Sequence, residues 1–212
     1  MISLNNIKGK FITFEGIEGA GKSTQSKNLV EYLNNNGVEA VWTREPGGCP
    51  EAEEIRNVII NGSVDKLDGM SELLLMYAAR RLHTEKKIKP LLAEGKVVIS
   101  DRYFDSTFAY QGFGSGIDLE KINMMKKIVL DDFKPDLTII LDIDVMEGLN
   151  RANKRGDVNR FESKKIEFHN RVREGFNSLL KLEPNRCKMI DVTSLNVNEV
   201  HNQVVSILSI FK

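Results

Sequence analysis

The sequence predicts an α/β fold in which a parallel sheet of five strands is flanked by helices on both faces. Short apolar runs rich in β-branched residues, typical of buried strands, recur along the chain, and helical patterns lie between them. A glycine-rich turn joins the first of these runs directly to a helix. Strands that alternate with helices form right-handed crossovers, which make the strands parallel and cover both faces of the sheet.

The composition limits the class of protein. A chain of 212 residues with 41% hydrophobic and 28% charged residues is typical of one globular domain, here residues 1–212. Thirty basic residues balance thirty acidic ones, so the composition favours neither nucleic acid nor an anionic membrane surface as a partner. Two cysteines are too few for a disulfide framework or a zinc site, and no apolar run approaches the roughly 20 residues of a membrane span. We therefore expect a cytoplasmic protein that binds neither nucleic acid nor membrane.

Apolar runs mark the strands, and amphipathic patterns mark the helices. The strands are expected at residues 11–14, 38–43, 97–100, 137–141 and 188–192. A long helix is expected at about residues 71–94, and Pro90 is predicted to kink or divide it. Residues 111–116 contain three glycines and are predicted to form a mobile loop. Because ligands of parallel sheets bind at the carboxyl ends of the strands, the motifs that follow these strands are expected to share one cleft.

The glycine-rich turn has the spacing G-x-x-x-x-G-K-S, from Gly16 to Ser23. Its glycines let the backbone N–H groups approach an anion, and the helix that follows adds the positive end of its dipole. Lys22 would reach the β- and γ-phosphates, and the Ser23 hydroxyl would bind Mg²⁺. A turn that only connects a strand to a helix is the alternative, but the spacing and both flanks favour nucleotide binding. The predicted ATP-binding residues are Gly16, Ile17, Glu18, Gly19, Ala20, Gly21, Lys22, Ser23 and Thr24.

Asp101 and Arg102 directly follow the third predicted strand. An acidic residue in this position can hold Mg²⁺ together with Ser23, although a turn or a helix N-cap would also account for Asp101. A guanidinium that faces the phosphate loop suits bidentate binding of a second phosphate. A surface carboxylate as the partner of Arg102 is the alternative.

A basic segment at about residues 150–162 contains Arg151, Lys154, Arg155 and Arg160. A solvated helix end stabilised by the helix dipole would explain such a segment. Phosphoryl transfer offers a second explanation, because it depends on positioning and on cations around the transferred group. We favour a lid that closes over the site, expels water and brings these cations in.

Met76 precedes Arg80 at helical spacing, and Tyr110 follows Arg102 on the next element. These residues suggest a pocket for a nucleotide base beside the cleft. Taken alone, the pair of Met76 and Tyr77 within a leucine run is more often part of a hydrophobic core.

Together these motifs resemble those of the thymidylate kinase family, whose members transfer the γ-phosphate of ATP to dTMP and so supply dTDP for dTTP biosynthesis. The phosphate loop alone is shared with many enzymes, but its combination with the later motifs is specific to this family. The matching segments are FEGIEGAGKST at 14–24, TREPGG at 43–48, YAAR at 77–80, DRY at 101–103, ST at 106–107, AYQG at 109–112, PDLT at 135–138 and LD at 141–142.

The resemblance implies roles for individual residues around dTMP. Glu18 corresponds to the acidic residue near the 3′-hydroxyl, and Arg102 to the arginine on the dTMP phosphate. Arg80 and Thr107 correspond to residues that bond the thymine edge, and Tyr110 to the aromatic residue beneath the sugar. The resemblance also places Arg44, Met76 and Gln111 in the dTMP site. Met76 replaces the phenylalanine that the family usually stacks on thymine, so the stacking geometry is looser.

The resemblance further implies a P-loop NTPase-type fold, a Mg²⁺ cofactor and a homodimer. Members of the family carry the catalytic arginine either within the phosphate loop or in the lid. The loop here has no base between Gly16 and Gly21, so the resemblance implies the lid type. Arg155 is the predicted residue, with Arg151 and Arg160 in support.

Two other functions are weighed against dTMP phosphorylation. A kinase for another acceptor, such as dUMP or a deoxynucleoside, differs only in the base pocket. A nucleotide-dependent switch would need a water-positioning glutamine or a guanine-reading Asn-Lys-x-Asp motif. Asn153-Lys154-Arg155-Gly156 has the wrong fourth residue for that motif.

Overall fold

The computed structural model describes residues 4–63, 65–154 and 160–211. Its centre is a five-stranded parallel sheet with the strand order β2-β3-β1-β4-β5, which confirms the predicted fold class. The strands are β1 (Phe11–Glu15), β2 (Ala40–Arg44), β3 (Val97–Asp101), β4 (Leu137–Asp142) and β5 (Cys187–Asp191).

Helices connect the strands and cover the sheet. The α-helices in the described part of the chain are α1 (Lys22–Asn35), α2 (Pro50–Ile60), α3 (Gly69–His83), α4 (Lys89–Ala93), α5 (Phe104–Thr107), α6 (Leu119–Leu130), α7 (Val145–Asn153), α8 (Ile166–Leu182) and α9 (Val197–Ile207). Short 3₁₀ turns at Asn5–Ile7 and Leu208–Phe211 and π-helical turns at Thr84–Ile88 and Phe108–Gly114 complete the helical segments of these residues. None of the helices among the described residues has the length and apolarity needed to cross a membrane.

The two faces of the central strand β1 differ in chemistry. Ile12 and Phe14 point into the main hydrophobic core, which α1, α8 and α9 complete. Thr13 and Glu15 alternate with them and are also fully buried, because successive side chains of a strand point to opposite faces. Their face carries a polar network, in which the Thr13 and Thr138 hydroxyls lie 2.8 Å apart.

The strand register brings the predicted motifs to one edge of the sheet. Phe14 pairs with Asp101 of β3, so the phosphate loop leaves β1 beside the point where β3 ends. Arg44, at the end of β2, is also in register with Asp101. The register therefore brings the phosphate loop, Arg44 and Asp101 together, as expected for motifs that share one cleft.

The predicted long helix at residues 71–94 is divided. Asp68 caps the start of α3 by accepting hydrogen bonds from the amides of Met70 and Ser71, each at 2.9 Å. The α-helix ends at His83 and continues as the π-helical turn Thr84–Ile88. Pro90 lies in the first turn of α4, where its missing N–H is tolerated.

The prediction of a mobile loop at residues 111–116 is wrong for most of that segment. Gln111, Gly112 and Gly114 are buried, and the π-helical turn that contains them packs against α8. A Cβ at Gly114 would meet the ring of Phe168 at 2.6 Å. The glycine at this position therefore permits close packing on α8.

Candidate active site

A cavity of about 260 Å³ lies at the carboxyl ends of β1, β2 and β3. The phosphate loop forms one wall, and side chains from α2, α3 and the segment after β3 form the other. Its lining includes most of the predicted site residues, namely Glu18, Gly19, Gly21, Lys22, Ser23, Thr24, Arg44, Met76, Arg80, Asp101, Arg102, Thr107, Tyr110 and Gln111.

The phosphate loop wall is built mainly from backbone. Gly19 and Gly21 have φ values of 73° and 91°, which favour glycine. A Cβ at Gly19 would also meet the carbonyl oxygen of Gly148 at 2.0 Å, so α7 packs directly on the loop. Gly21 precedes α1 without a side-chain cap, which leaves the first amides of the helix available to an anion.

Ser23 and Asp101 provide the oxygen ligands that Mg²⁺ prefers. The Ser23 hydroxyl donates to Asp101 Oδ2, and both residues line the cavity. Among the described residues no cluster of three or more His, Cys, Asp or Glu side chains could hold a metal by itself. One carboxylate and one hydroxyl fit Mg²⁺, because this ion is usually bound by one or two protein oxygens together with phosphate and water.

Arg102 is fixed against the opposite side of the loop. Its Nη1 atom donates to the Gly16 carbonyl at 3.0 Å and to Ser106 Oγ at 3.1 Å. Its backbone has a φ of 72°, a conformation that residues with a Cβ rarely adopt, and its amide donates to the Phe14 carbonyl at 2.9 Å. Such strain persists where surrounding contacts determine the conformation, which is common at functional sites.

Two cations therefore bind neighbouring carbonyls of the same loop. Lys22 Nζ donates to the Ile17 carbonyl at 2.7 Å, next to the Gly16 carbonyl that Arg102 contacts. Burial lowers the pKa of Lys22 to about 8, and the charge of Arg102 adds to this effect. Anionic groups that entered the cavity would relieve the repulsion, so the electrostatics favour phosphates.

Glu18 connects the loop to the aromatic side of the cavity. Its Oε1 atom accepts from the Tyr110 hydroxyl at 2.7 Å and pairs with Arg102 Nη2 at 3.2 Å. His169 of α8 lies 3.4 Å from the other carboxylate oxygen. Burial alone would raise the pKa of Glu18, but His169, Arg102 and Lys22 outweigh it and hold the pKa below its ordinary value. Glu18 is thus a fixed acceptor at the edge of the site.

Arg80 belongs to a buried ion pair below the predicted base pocket. Its Nε donates to Glu45 Oε2 at 2.7 Å, and its Nη1 donates to Thr107 Oγ1 at 2.9 Å. Glu45 also lies 3.1 Å from His83 Nδ1, and His83 Nε2 lies 2.7 Å from the Thr43 hydroxyl. This chain of contacts fixes the guanidinium at the cavity wall, where Met76 provides apolar surface.

Arg56 of α2 is a cavity residue that the sequence analysis missed. Its Nη1 donates to the Pro46 carbonyl at 2.7 Å, and it forms no ion pair with the described residues. Burial and the charge of Arg44 lower the pKa of Arg56. Its place on the buried face of α2, between Ala52 and Ile59 at helical spacing, is the signal that would have identified it.

The described part of the predicted lid does not place its arginines in the cavity. Arg151 donates to Glu147 and to the Thr193 carbonyl, and it does not line the cavity. Arg160 is buried against Glu72 of α3. Arg155 lies outside the described residues.

Two of the three histidines lie inside the protein beside the site. His83 and His169 are fully buried in their helices, and both contact glutamates of the site. Helical periodicity alone does not distinguish such histidines from exposed ones.

Comparisons with known proteins agree with this geometry. The family model described as thymidylate kinase matches residues 14–204. A thymidylate kinase from Wolbachia pipientis wMel is 48% identical over 198 residues, which cover 92% of this chain and 97% of that relative. One from Clostridium novyi is 42% identical and covers 95% of this chain and 98% of its own length. The crystal structure of thymidylate kinase from Ehrlichia chaffeensis matches 95% of this chain and 98% of its own, with a TM-score of 0.76 and 42% identity.

Proposed function

Because the chain belongs to the thymidylate kinase family, we propose that it transfers the γ-phosphate of ATP to dTMP and forms dTDP and ADP. The observation that carries the proposal is the pair of cations on adjacent carbonyls of the phosphate loop. Lys22 belongs to the loop itself, whereas Arg102 Nη2 donates to the Tyr110 hydroxyl at 2.9 Å, next to the proposed sugar and base pocket. One cavity thus offers separate positions for a phosphate donor and a phosphate acceptor.

The reaction needs no covalent intermediate on the protein. A phosphate oxygen of dTMP forms the new bond to the γ-phosphorus, and the bond from that phosphorus to the β–γ bridging oxygen breaks. Lys22 and the loop amides hold the donor phosphates, while Arg102 holds the acceptor phosphate, with Arg56 close to it. Catalysis is then mainly positioning and charge stabilisation.

Ser23 and Asp101 would hold Mg²⁺, which neutralises charge on the donor phosphates when it is bound. The two side chains are hydrogen-bonded to each other, so the proposed metal ligands are adjacent.

On the acceptor side, Arg80 and Thr107 would contact the thymine edge. Met76 and Tyr110 flank the space for the base and the sugar, and Glu18 lies where a 3′-hydroxyl could donate to it. Gln111 and Arg44 complete the proposed dTMP site.

We keep Arg155 as the proposed catalytic arginine, with Arg151 in support. Replacing Arg155 by alanine should lower kcat by roughly 10³ or more, the effect of removing an arginine from phosphoryl transfer. Single-turnover kinetics at saturating ATP and dTMP would measure it. An unchanged rate would assign the role to another residue.

The homodimer and the cytoplasmic location also remain proposals. Apolar side chains exposed on the neighbouring helices α3 and α6 support a self-association surface, among them Leu74, Met124 and Ile128, with exposures of 49%, 65% and 71%. Sedimentation equilibrium would distinguish a monomer of 24.0 kDa from the expected dimer of twice that mass.

The proposed reaction is tested with purified protein, Mg-ATP and a panel of acceptors. We expect dTDP from dTMP, with slower turnover of dUMP and dCMP and none of thymidine. Rapid ATP hydrolysis that is independent of any acceptor would contradict the proposal.

A further inference from the structure

Gln111 contacts the buried Glu72, which in turn contacts the buried Arg160, and neither Glu72 nor Arg160 lines the cavity. The Nε2 atom of Gln111 donates to Glu72 Oε1 at 2.6 Å. The other oxygen of Glu72 accepts from Arg160, whose Nε donates to the Ile59 carbonyl at 3.0 Å. All three side chains are buried, and Gln111 alone reaches the cavity.

This chain of contacts fixes the orientation of the Gln111 amide. The two ends of an amide are nearly identical in shape, so packing alone does not distinguish them. An ionised carboxylate has only acceptors, and Glu72 is ion-paired with Arg160. Gln111 must therefore turn its NH₂ group towards Glu72. Its Oε1 atom accepts no hydrogen bond from the described residues and is left for a ligand.

We propose that Glu72 and Arg160 are positioning residues that select the base of the acceptor by fixing Gln111 Oε1 as a hydrogen-bond acceptor in the cavity. This inference rests on the proposed function. A pyrimidine with a protonated ring nitrogen, such as thymine or uracil, can donate to that oxygen. Arg80, on the same side of the cavity, carries only donors and suits the adjacent carbonyl of such a ring.

Cytosine presents the reverse pattern on the same edge. Its ring nitrogen is an acceptor and its exocyclic amine is a donor, so it would leave both Gln111 Oε1 and Arg80 mispaired. Mispaired polar groups in a desolvated site reduce turnover strongly. Selection against cytosine thus depends on the fixed orientation of one amide.

The charges on Glu72 and Arg160 are what a neutral pair of residues could not replace. If the residue at position 72 were an amide, it could accept from or donate to Gln111, and the Gln111 amide could turn over to pair with cytosine. Arg160 is required because a buried acid without a cation becomes protonated and could then donate.

The test is the ratio of kcat/KM for dTMP to that for dCMP in the full-length protein and in Glu72→Gln. We expect the ratio to fall roughly tenfold, as for one mispaired hydrogen bond. Asp105→Asn is the matched control, since Asp105 is also a buried carboxylate paired with a buried arginine, Arg186, and does not line the cavity. Its ratio should stay within about twofold of wild type, whatever its stability.

A double-mutant cycle shows whether Glu72 acts through Gln111. In a Gln111→Ala background, Glu72→Gln should change the ratio no further. An equal change in both backgrounds, or an equal loss with both substrates, would overturn the inference. Arg160→Met removes the cation that pairs with Glu72 and should lower the ratio similarly. It serves as the test if Glu72→Gln does not fold. A wild-type protein that does not phosphorylate dTMP would overturn the proposed function instead.

Discussion

The two walls of the cavity are built in different ways. The donor wall belongs to one continuous segment, residues 16–24, which lines the cavity with Glu18, Gly19, Gly21, Lys22, Ser23 and Thr24. The acceptor wall takes side chains from α2, α3 and the segment after β3, and buried partners hold several of them. A phosphate can be bound by any correctly shaped backbone, whereas a base must be recognised by side chains with fixed donors and acceptors.

The comparison predicts that a change in the donor wall affects every acceptor equally. Lys22→Ala removes the buried cation from the donor phosphates and should lower kcat on the order of 10³-fold with dTMP and dUMP alike. Steady-state kinetics with both acceptors would measure it. Lys27→Ala is the control. Lys27 is on the same helix as Lys22, but its side chain is exposed and lies over the ring of Trp42 on β2. A loss that differed strongly between the two acceptors would break the distinction between the walls.

A change in the acceptor wall should affect both recognition and stability. Arg80→Met leaves Glu45 buried without its cation, which typically costs about 3–5 kcal/mol of unfolding free energy. It should also lower kcat/KM for dTMP by roughly 100-fold, because a charged hydrogen bond to the base is lost. Urea unfolding and steady-state kinetics would measure the two effects.

The control for Arg80 is its neighbour in the sequence. Arg81 is 54% exposed and pairs with Glu85 at the surface, so Arg81→Met should change stability by less than about 1 kcal/mol. Equal effects of the two substitutions would show that the buried pair has no special role.

Glu15 is buried at the end of β1, and its carboxylate accepts from the Tyr103 amide at 2.7 Å and the Ser106 hydroxyl at 2.6 Å, two residues that line the cavity. Burial raises the pKa of Glu15 from 4.5 to about 8, and Asp105 adds to the rise. Between these values the folded protein holds a proton that the unfolded chain has lost, so stability falls as pH rises through this window. Below about pH 4.5 both states are protonated and the penalty disappears.

Glu15→Gln remains neutral at every pH and should avoid this loss. Its unfolding free energy should therefore increase relative to wild type between pH 5 and pH 8, by at most about 1.4 kcal/mol per pH unit. Chemical unfolding at several pH values would measure the difference. Glu54→Gln, at an exposed position on α2, should run parallel to wild type. A constant difference between Glu15→Gln and wild type would refute a raised pKa in the folded state.

The sheet, the phosphate loop and the DRY segment could be predicted because each is a local pattern. The alternation of strands and helices fixes the fold class, and the loop spacing fixes the positions of Lys22 and Ser23. The prediction of a mobile loop at residues 111–116 is wrong because a glycine can mark either a flexible segment or a place of close packing. At Gly114 it permits contact with Phe168 of α8, which no local pattern reveals.

The individual contacts of the acceptor wall with thymine and the sugar could be predicted only through the family resemblance, and the residues that support this wall could not be predicted at all. Glu45, Glu72 and His169 are distant in sequence from the side chains they hold. Their pairing depends on how α3 and α8 pack, which is a tertiary effect. Arg56 is a different case. Its position on the buried face of α2 can be recognised in the sequence, but its role becomes clear only from the cavity that it lines.

The central claim is that Arg102 binds the acceptor phosphate while Lys22 binds the donor. Calorimetric titration of wild type and Arg102→Met with dTMP, thymidine and Mg-ATP tests it most directly. We expect the Kd for dTMP to rise roughly 100-fold, as for a lost charged hydrogen-bond pair, while thymidine and Mg-ATP change less than about threefold. If Arg102→Met weakened thymidine as much as dTMP, or Mg-ATP more than dTMP, the account of two separate phosphate positions would be contradicted.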